Sequence, residues 1–310
     1  VSGSMAQARR AEPAPVRAAG RAWREVRDTR WGWLLAVPAV GLIGGFVLYP
    51  ALNTLLFSFT DFNGLTPASW VGTRQYQALV SDSVFHRTLL NSGVITVAVT
   101  VLLVCLPLPV AYWIHRGIPF RRFFRTVLYL PVVVPIIVSS VAWKWMLDDN
   151  GLLNHGLTAL GLIDEPISWL SDPGWAIWSV IGVIVWRAFG IYLLIYLAGL
   201  ATTPGELFEA ASIDGAGHVR TFFSVVVPQL RGSIVLSSVI AFVAAMRTFD
   251  EIYVLTGGGP VNASKNTAYH IWETAFSYFK FGYGSAMAVV LLALVLGLVM
   301  LGLRLAGRRR

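Results

Sequence analysis

The sequence predicts an all-α integral membrane protein with six transmembrane helices and both termini on the cytoplasmic side. Three observations lead there. Of the 310 residues 56% are hydrophobic and 13% charged, with a mean hydropathy of +0.66, whereas soluble chains carry about 25% charged residues. The apolar residues come in long blocks near 33–59, 89–114, 126–147, 175–200, 233–256 and 284–306, each long enough for the roughly 20 residues that cross a bilayer. The basic residues alternate between connections. Residues 1–32 hold seven arginines, and Arg116, Arg121, Arg122, Arg125, Arg220, Arg231, Arg304, Arg308, Arg309 and Arg310 fall in alternate connections or the tail. The other connections hold Arg74, Arg87, Lys265 and Lys280, a ratio of 17 to 4, and short cytoplasmic loops are the ones that retain Lys and Arg. The net charge of +8 therefore reads as membrane topology. A basic tail for nucleic acid explains the end of the chain but not the alternation.

Along the chain, residues 1–32 form a basic arm rich in Ala, Arg and Pro, without a periodic apolar face and expected to be partly disordered on the cytoplasmic side. The block at 33–59 is too long for a secretory signal and is followed by no small-residue cleavage site, so it is expected to remain as the first span of a membrane domain over 33–306. The 60–88 connection carries an amphipathic stretch through Tyr76, Leu79, Val80 and Phe85, expected as a short helix at the outer surface. The 148–174 connection has only acidic charges (Asp148, Asp149, Asp164, Glu165, Asp172) and a helical stretch near Leu152–Leu160. Residues 307–310 are a basic cytoplasmic tail. Trp31, Trp33, Tyr49, Trp143, Trp145, Trp175 and Trp178 gather at span ends, as an interfacial aromatic belt requires. Cys105 is the single cysteine, which excludes an intramolecular disulfide and a cysteine metal site. His155, His218 and His270 have no partners at ligand spacing and are expected at loops or the surface, so neither a metal site nor a catalytic constellation is expected.

Ionisable groups inside spans are costly and face a bundle interior or a cavity. Arg187 lies deep in the fourth block, and Arg247, Asp250 and Glu251 interrupt the fifth. At helical spacing Arg247 pairs with Asp250 (i, i+3) or Glu251 (i, i+4). These groups either line a pathway with Thr248 or lock helices together. Lys144 reads as an anchor reaching toward the interface. Pro131 and Pro135 mark a kink.

The 201–232 connection has its own helix grammar. Thr203-Pro204-Gly205-Glu206 reads as a capping box with proline at the first helical position. Leu207, Phe208 and Ala211 share a face, and Gly215 is placed to close the helix in a left-handed conformation. A second helix is expected over Val219–Val227, stopped at Pro228. Within this loop, Glu209-Ala210-Ala211, then Gly215 four residues later, then Val225-x-Val227-Pro228 resembles the EAA loop of ATP-binding-cassette (ABC) importer permeases, with valines for the usual Ile and Leu. The run Asp250-Glu251-Ile252-Tyr253-Val254-Leu255-Thr256-Gly257-Gly258-Gly259-Pro260 and the segment Gly282-Tyr283-Gly284-Ser285-Ala286 resemble the carbohydrate-uptake branch of that family, which includes maltose, trehalose and glycerol-phosphate types.

The resemblance spans 33–305 and implies a permease subunit in a bacterial inner membrane, passing a sugar delivered by an external binding protein. It implies a coupling helix within 203–228, with Glu209, Ala210, Ala211, Asp214, Gly215 and Pro228 meeting a separate ATPase. Partners implied are two ATPase subunits, a second permease subunit of different sequence, the sugar-binding protein and membrane lipid. ATP and Mg would sit on the ATPase, because the chain carries no Gly-x-x-x-x-Gly-Lys-Ser/Thr loop, and no cofactor is expected in this chain. Pathway positions implied are Arg187, Ala244, Ala245, Thr248, Asp250 and Glu251. The pocket of maltose-type members maps onto Val132, Ile136, Ile184, Arg187, Ala188, Ala244, Ala245 and Thr248, mostly apolar in this chain. Glycerol 3-phosphate or another polyol, attracted by Arg187, is the alternative cargo. A secondary transporter would require inverted repeats with paired broken helices, and the sequence has no such symmetry.

Overall fold

The computed structural model describes residues 36–307, and the basic arm, the first residues of the first block and Arg308–Arg310 lie outside the described residues. The chain divides into two compact units between Leu56 and Phe57. The first is represented by helix α1 (Ala36–Phe57), which passes through a π-helical turn at Gly44–Leu48. The second unit holds α2 (Arg74–Ser81), α3 (Ser83–His115), α4 (Arg121–Val133), α5 (Ile136–Met146), α6 (Leu152–Ala159) and α7 (Ala176–Ala201). It continues with α8 (Gly205–Ile213), α9 (His218–Gln229), α10 (Arg231–Met246), α11 (Asp250–Leu255), α12 (Thr267–Trp272) and α13 (Phe281–Gly307). The β pairing among the described residues is one isolated bridge between Thr60 and Trp70. The short helices expected in the two acidic or polar connections are α2 and α6.

Four helices (α1, α3, α7 and α13) are long and apolar enough to cross a membrane, and the number is six if each of two bent pairs is one span. The expected third span, 126–147, is such a pair: α4 and α5 meet at 101°. Val134 is extended (ψ 130) and Pro135 caps α5, because a residue before proline is driven out of the helical region. The fifth block, 233–256, which Arg247, Asp250 and Glu251 interrupt, is also divided. α10 ends at Met246, Arg247–Phe249 leave the helix, and α11 restarts at Asp250. At its other end α10 bends by 72° from α9.

The core of the second unit lies where α3, α7 and α10 pack. Ile95, Val99, Leu103, Val180, Ile181, Leu193, Tyr196, Leu197 and Ala241 are buried in one cluster. α7 is apolar all round over most of its length, as a helix enclosed by neighbours must be. α3 continues through Leu106 into Pro107, whose missing N–H falls at the first position of the next segment, where a helix tolerates proline.

Candidate functional site

Two places in the second unit collect the polar residues of the chain. The first is the break in the fifth apolar block. Arg187, halfway along α7, reaches Glu251 on α11 with its Nη2 3.2 Å and Nε 3.3 Å from Oε1. The Glu251 side chain is 3% exposed and that of Arg187 25%, so the acid is enclosed while the guanidinium keeps one open side. This corrects the pairing expected within one helix. Arg247 lies in the unwound turn between α10 and α11, so it and Glu251 are not on one continuous helix, and the carboxylate meets α7 instead. Asp250 is half-buried, Thr248 and Ala245 are buried, and Ala244 and Arg247 are exposed. Trp143 of α5 lies edge-on to Trp186 of α7, their rings 5.3 Å apart.

The backbone freed by the break is satisfied from the following loop. Asn266 Nδ2 donates to the Thr248 carbonyl, and its Oδ1 accepts from Tyr269 N at 2.9 Å to cap α12. The loop itself is pinned to α3. Asn91 Nδ2 donates to the carbonyls of Asn262 (2.9 Å) and Lys265 (2.8 Å). Ser92 accepts from Thr267 N at 2.9 Å. The Thr256 and Ser264 hydroxyls are 2.7 Å apart. Lys265 pairs with Glu273 at 2.7 Å. Irregular backbone at membrane depth is tolerated only when it is enclosed and hydrogen-bonded in this way. Asn91, Ser92 and Asn266 were not among the expected site residues. The polar pair Asn91-Ser92 within an apolar run, and Asn266 three residues before Tyr269, are the signals that point to them.

His270, expected at the surface, is buried, with Nδ1 3.5 Å from Glu273 Oε2. Burial pushes its pKa below the ordinary 6.5, against the pull of Glu273. Asp82 caps α3, accepting from Val84 N and Phe85 N. Burial raises its pKa, but the Tyr283 hydroxyl at 2.6 Å and these two amides outweigh that and hold it below the usual carboxylate range.

The second place is the loop from α7 to α10. α8 begins after Pro204 without a side-chain cap. The expected capping box does not form, because the Thr203 hydroxyl donates back to the Gly199 carbonyl at 3.2 Å and is thereby bound to the end of α7. The far end of α8 is as expected. Gly215 has φ +67, its N–H reaches the Ser212 carbonyl (3.1 Å), and Ala216 N–H reaches the Ala211 carbonyl (2.9 Å), the paired bonds of a Schellman closure. α9 does not stop at Pro228 but runs to Gln229. A π-helical turn over Phe222–Val226 precedes the proline, so the helix changes its bonding register before the missing N–H.

α8 turns Phe208 toward the core and leaves Glu209, Ala210, Ile213, Asp214 and Gly215 exposed, with Ala211 half-buried and Pro228 exposed. Ile213 is 86% exposed, and a Cβ on Gly215 would have nothing within 4 Å. Ile213 is thus open to one side of α8, with the small residues Ala210 and Gly215 exposed near it in the chain. Of the expected coupling residues Glu209, Ala210, Asp214 and Gly215 are exposed along α8 and its end, whereas Pro228 lies on α9; of the expected pathway residues Arg187 and Glu251 are joined by their side chains.

A helical chain with several membrane-length segments, a broken span held by a buried ion pair and an open loop helix has the design of a transport subunit. Residues 103–310 match the binding-protein-dependent transport system inner membrane component family, and the chain belongs to that family. It is thus a multi-pass inner-membrane protein of a transport system. It is 33% identical over 276 residues, 88% of this chain and 89% of the relative, to the sulfoquinovosyl glycerol transport system permease protein SmoG of Agrobacterium fabrum. It is 35% identical over 278 residues, 84% of this chain and 79% of the relative, to the diacetylchitobiose uptake system permease protein NgcF of Streptomyces coelicolor. A solved bacterial alginate ABC transporter, in complex with an alginate pentasaccharide-bound periplasmic protein, matches with a TM-score of 0.80 at 18% identity. That match covers 93% of this chain and 98% of the other, and at such identity the likeness is one of fold.

Proposed function

We propose that this chain is the permease subunit of a sugar-importing ABC transporter, moving a mono-, di- or oligosaccharide handed over by an external binding protein. The observation that carries the reading is the α8 helix with its open Glu209–Gly215 face. Its far end carries an exposed apolar residue, Ile213, and a left-handed glycine, Gly215, that no described residue crowds. That is the form of a helix that docks in a partner's groove, and the partner is a separate ATPase that holds ATP and Mg. The sugar reading is supported by the names of the relatives, and the binding protein by the complex of the alginate transporter.

In this reading the chain has six spans, the α4–α5 pair and the α10–α11 region being broken ones, with both termini in the cytoplasm. A second permease subunit of different sequence completes the pathway, and two ATPase subunits sit beneath. Arg187, Ala244, Ala245, Thr248, Asp250 and Glu251 line that pathway. A phosphorylated polyol is the weaker reading of the cargo, because the Arg187 charge is already met by Glu251.

Sidedness is tested by labelling. With Cys105→Ser as background, Asp164→Cys is expected to react with an impermeant thiol reagent added outside and Arg122→Cys is not; the opposite pattern overturns the topology. Coupling is tested on the complex purified with its ATPase and binding protein, against a panel containing diacetylchitobiose, sulfoquinovosyl glycerol and neutral disaccharides. Gly215→Val, and more mildly Glu209→Lys, are expected to leave membrane insertion normal while releasing the ATPase or abolishing sugar-stimulated ATP hydrolysis. Parental ATPase retention and stimulation in both variants would refute the docking role.

A further inference from the structure

The two places described above are joined by one helix. α3 carries Asn91 and Ser92, which hold the loop behind the broken fifth span, and its last turn packs against the loop that carries α8. Tyr112, His115 and Arg116 lie at i, i+3 and i+4, so a single turn at that end puts all three on one face. This turn touches both limbs of the α8–α9 loop. The His115 ring is 5.7 Å from Phe208 of α8, and the Tyr112 ring is 5.7 Å from Phe222 of α9. The Arg116 guanidinium lies over the Tyr112 ring at 5.8 Å and hydrogen-bonds His218 Nδ1 at the first residue of α9. A guanidinium has only donors, so the imidazole nitrogen accepts.

The loop is therefore gripped on the side facing the membrane unit and open on the side bearing Glu209, Ala210 and Ile213. From Asn91 to Tyr112 the helix rises about 30 Å, most of the hydrocarbon thickness. Between its ends α3 packs on α7 and α10, the helices that lead to the Arg187–Glu251 pair.

We propose that α3 is the strut through which the state of the broken span reaches the coupling loop, with Arg116 and His218 as the positioning residues of its inner grip. The proposal rests on the coupling role of α8 given above. A helix fastened at both ends, even through the join at Leu106–Pro107, carries displacement at one attachment to the other. A contact that holds both loop limbs then sets the angle at which α8 meets the ATPase without itself touching ATP or sugar.

The test uses the full complex in proteoliposomes, with ATP alone and with ATP, binding protein and the panel sugar that drives uptake. Arg116 and His218 are both exposed, so Arg116→Ala and His218→Ala leave the core intact. Each is expected to lower the sugar-stimulated rate by about tenfold, a typical size for coupling between sites, with the ATP-alone rate and ATPase retention unchanged. The double variant is expected to be no worse than the poorer single, as two halves of one contact behave, and Arg116→Lys is expected to recover part of the stimulation. Parental stimulation in the singles, effects that multiply in the double, or loss of the ATPase from the complex overturns the strut. Gly215→Val measured alongside separates the two failures. If it too is parental, the coupling role of α8 falls and the strut with it. If it is uncoupled while the Arg116 and His218 variants are parental, only the strut falls.

Discussion

At Gly258 and at Gly215 the backbone takes the same left-handed conformation, φ +79 and +67, in surroundings of opposite kinds. A Cβ on Gly258 would lie 2.9–3.1 Å from the Cε, Cβ and Cγ of Lys265, whereas one on Gly215 would meet nothing within 4 Å. The loop around Gly258 is closed by the chain's own side chains: Asn91, Ser92, Ser264 and Asn266 satisfy its backbone, and Lys265 is tied to Glu273. The loop around Gly215 satisfies its helix end with two backbone bonds and leaves its outer face bare. One loop is closed by side chains of the subunit and the other is left open on its outer side. The difference teaches where a substitution should be felt. Changes in the first loop and the break it supports should cost folding stability, and changes in the second should cost assembly.

The largest effect is expected at the ion pair beside the closed loop. Glu251→Gln keeps the shape but leaves Arg187 facing a neutral amide inside the subunit. Loss of one partner of a buried pair costs about 3–5 kcal/mol, and the partial exposure of Arg187 reduces this to about 2–3 kcal/mol, read as a lowered Tm in detergent. Arg187→Ala leaves the enclosed Glu251 carboxylate unpaired and should cost at least as much as the acid's loss in a fold-only role, and should alter sugar uptake or selectivity in a pathway role. Unchanged uptake and selectivity in an assembled Arg187→Ala complex removes Arg187 from the pathway. A smaller effect separates the two glycines. Gly258→Ala adds a close contact with Lys265 to the left-handed strain, for about 2 kcal/mol. Gly215→Ala carries the strain alone, about 1 kcal/mol. Equal losses of Tm in the two variants would break the comparison. A Gly215→Ala protein of near-parental Tm with weakened ATPase retention would sharpen it.

Several features were legible in the sequence because they depend on composition or on local backbone preference. Membrane residence followed from block length and charge, which the bilayer enforces on any chain. Gly215 at a left-handed helix end followed from the absence of a Cβ, and the interruption at Pro135 followed from ring sterics that no tertiary context removes. α2 followed from the amphipathic stretch at Tyr76–Val80, and the extent of α7 from the length of its apolar block. The capping box at Thr203 and the stop at Pro228 were expected on the same local grounds and failed. A nearby carbonyl at Gly199 took the Thr203 hydroxyl, and a π-helical turn absorbed the proline.

What only the tertiary structure decided is who meets whom. Arg247 was well spaced to hold Glu251 on one helix, but it lies in the unwound turn at Arg247–Phe249, and the carboxylate meets Arg187 of α7 instead. Asn91 and Ser92 stand 171 or more residues from the loop groups they hold, and no local preference encodes such a partner. Arg116 and His218, 102 residues apart, are the same case at the other end of α3. Sequence by itself determines the solvent the chain lives in and the points where its backbone must turn, because hydrophobicity and sterics act residue by residue. The choice of partner for a polar group is made at a distance. It depends on which helices pack side by side, since enclosing an unpaired donor or carboxylate costs more than the packing returns.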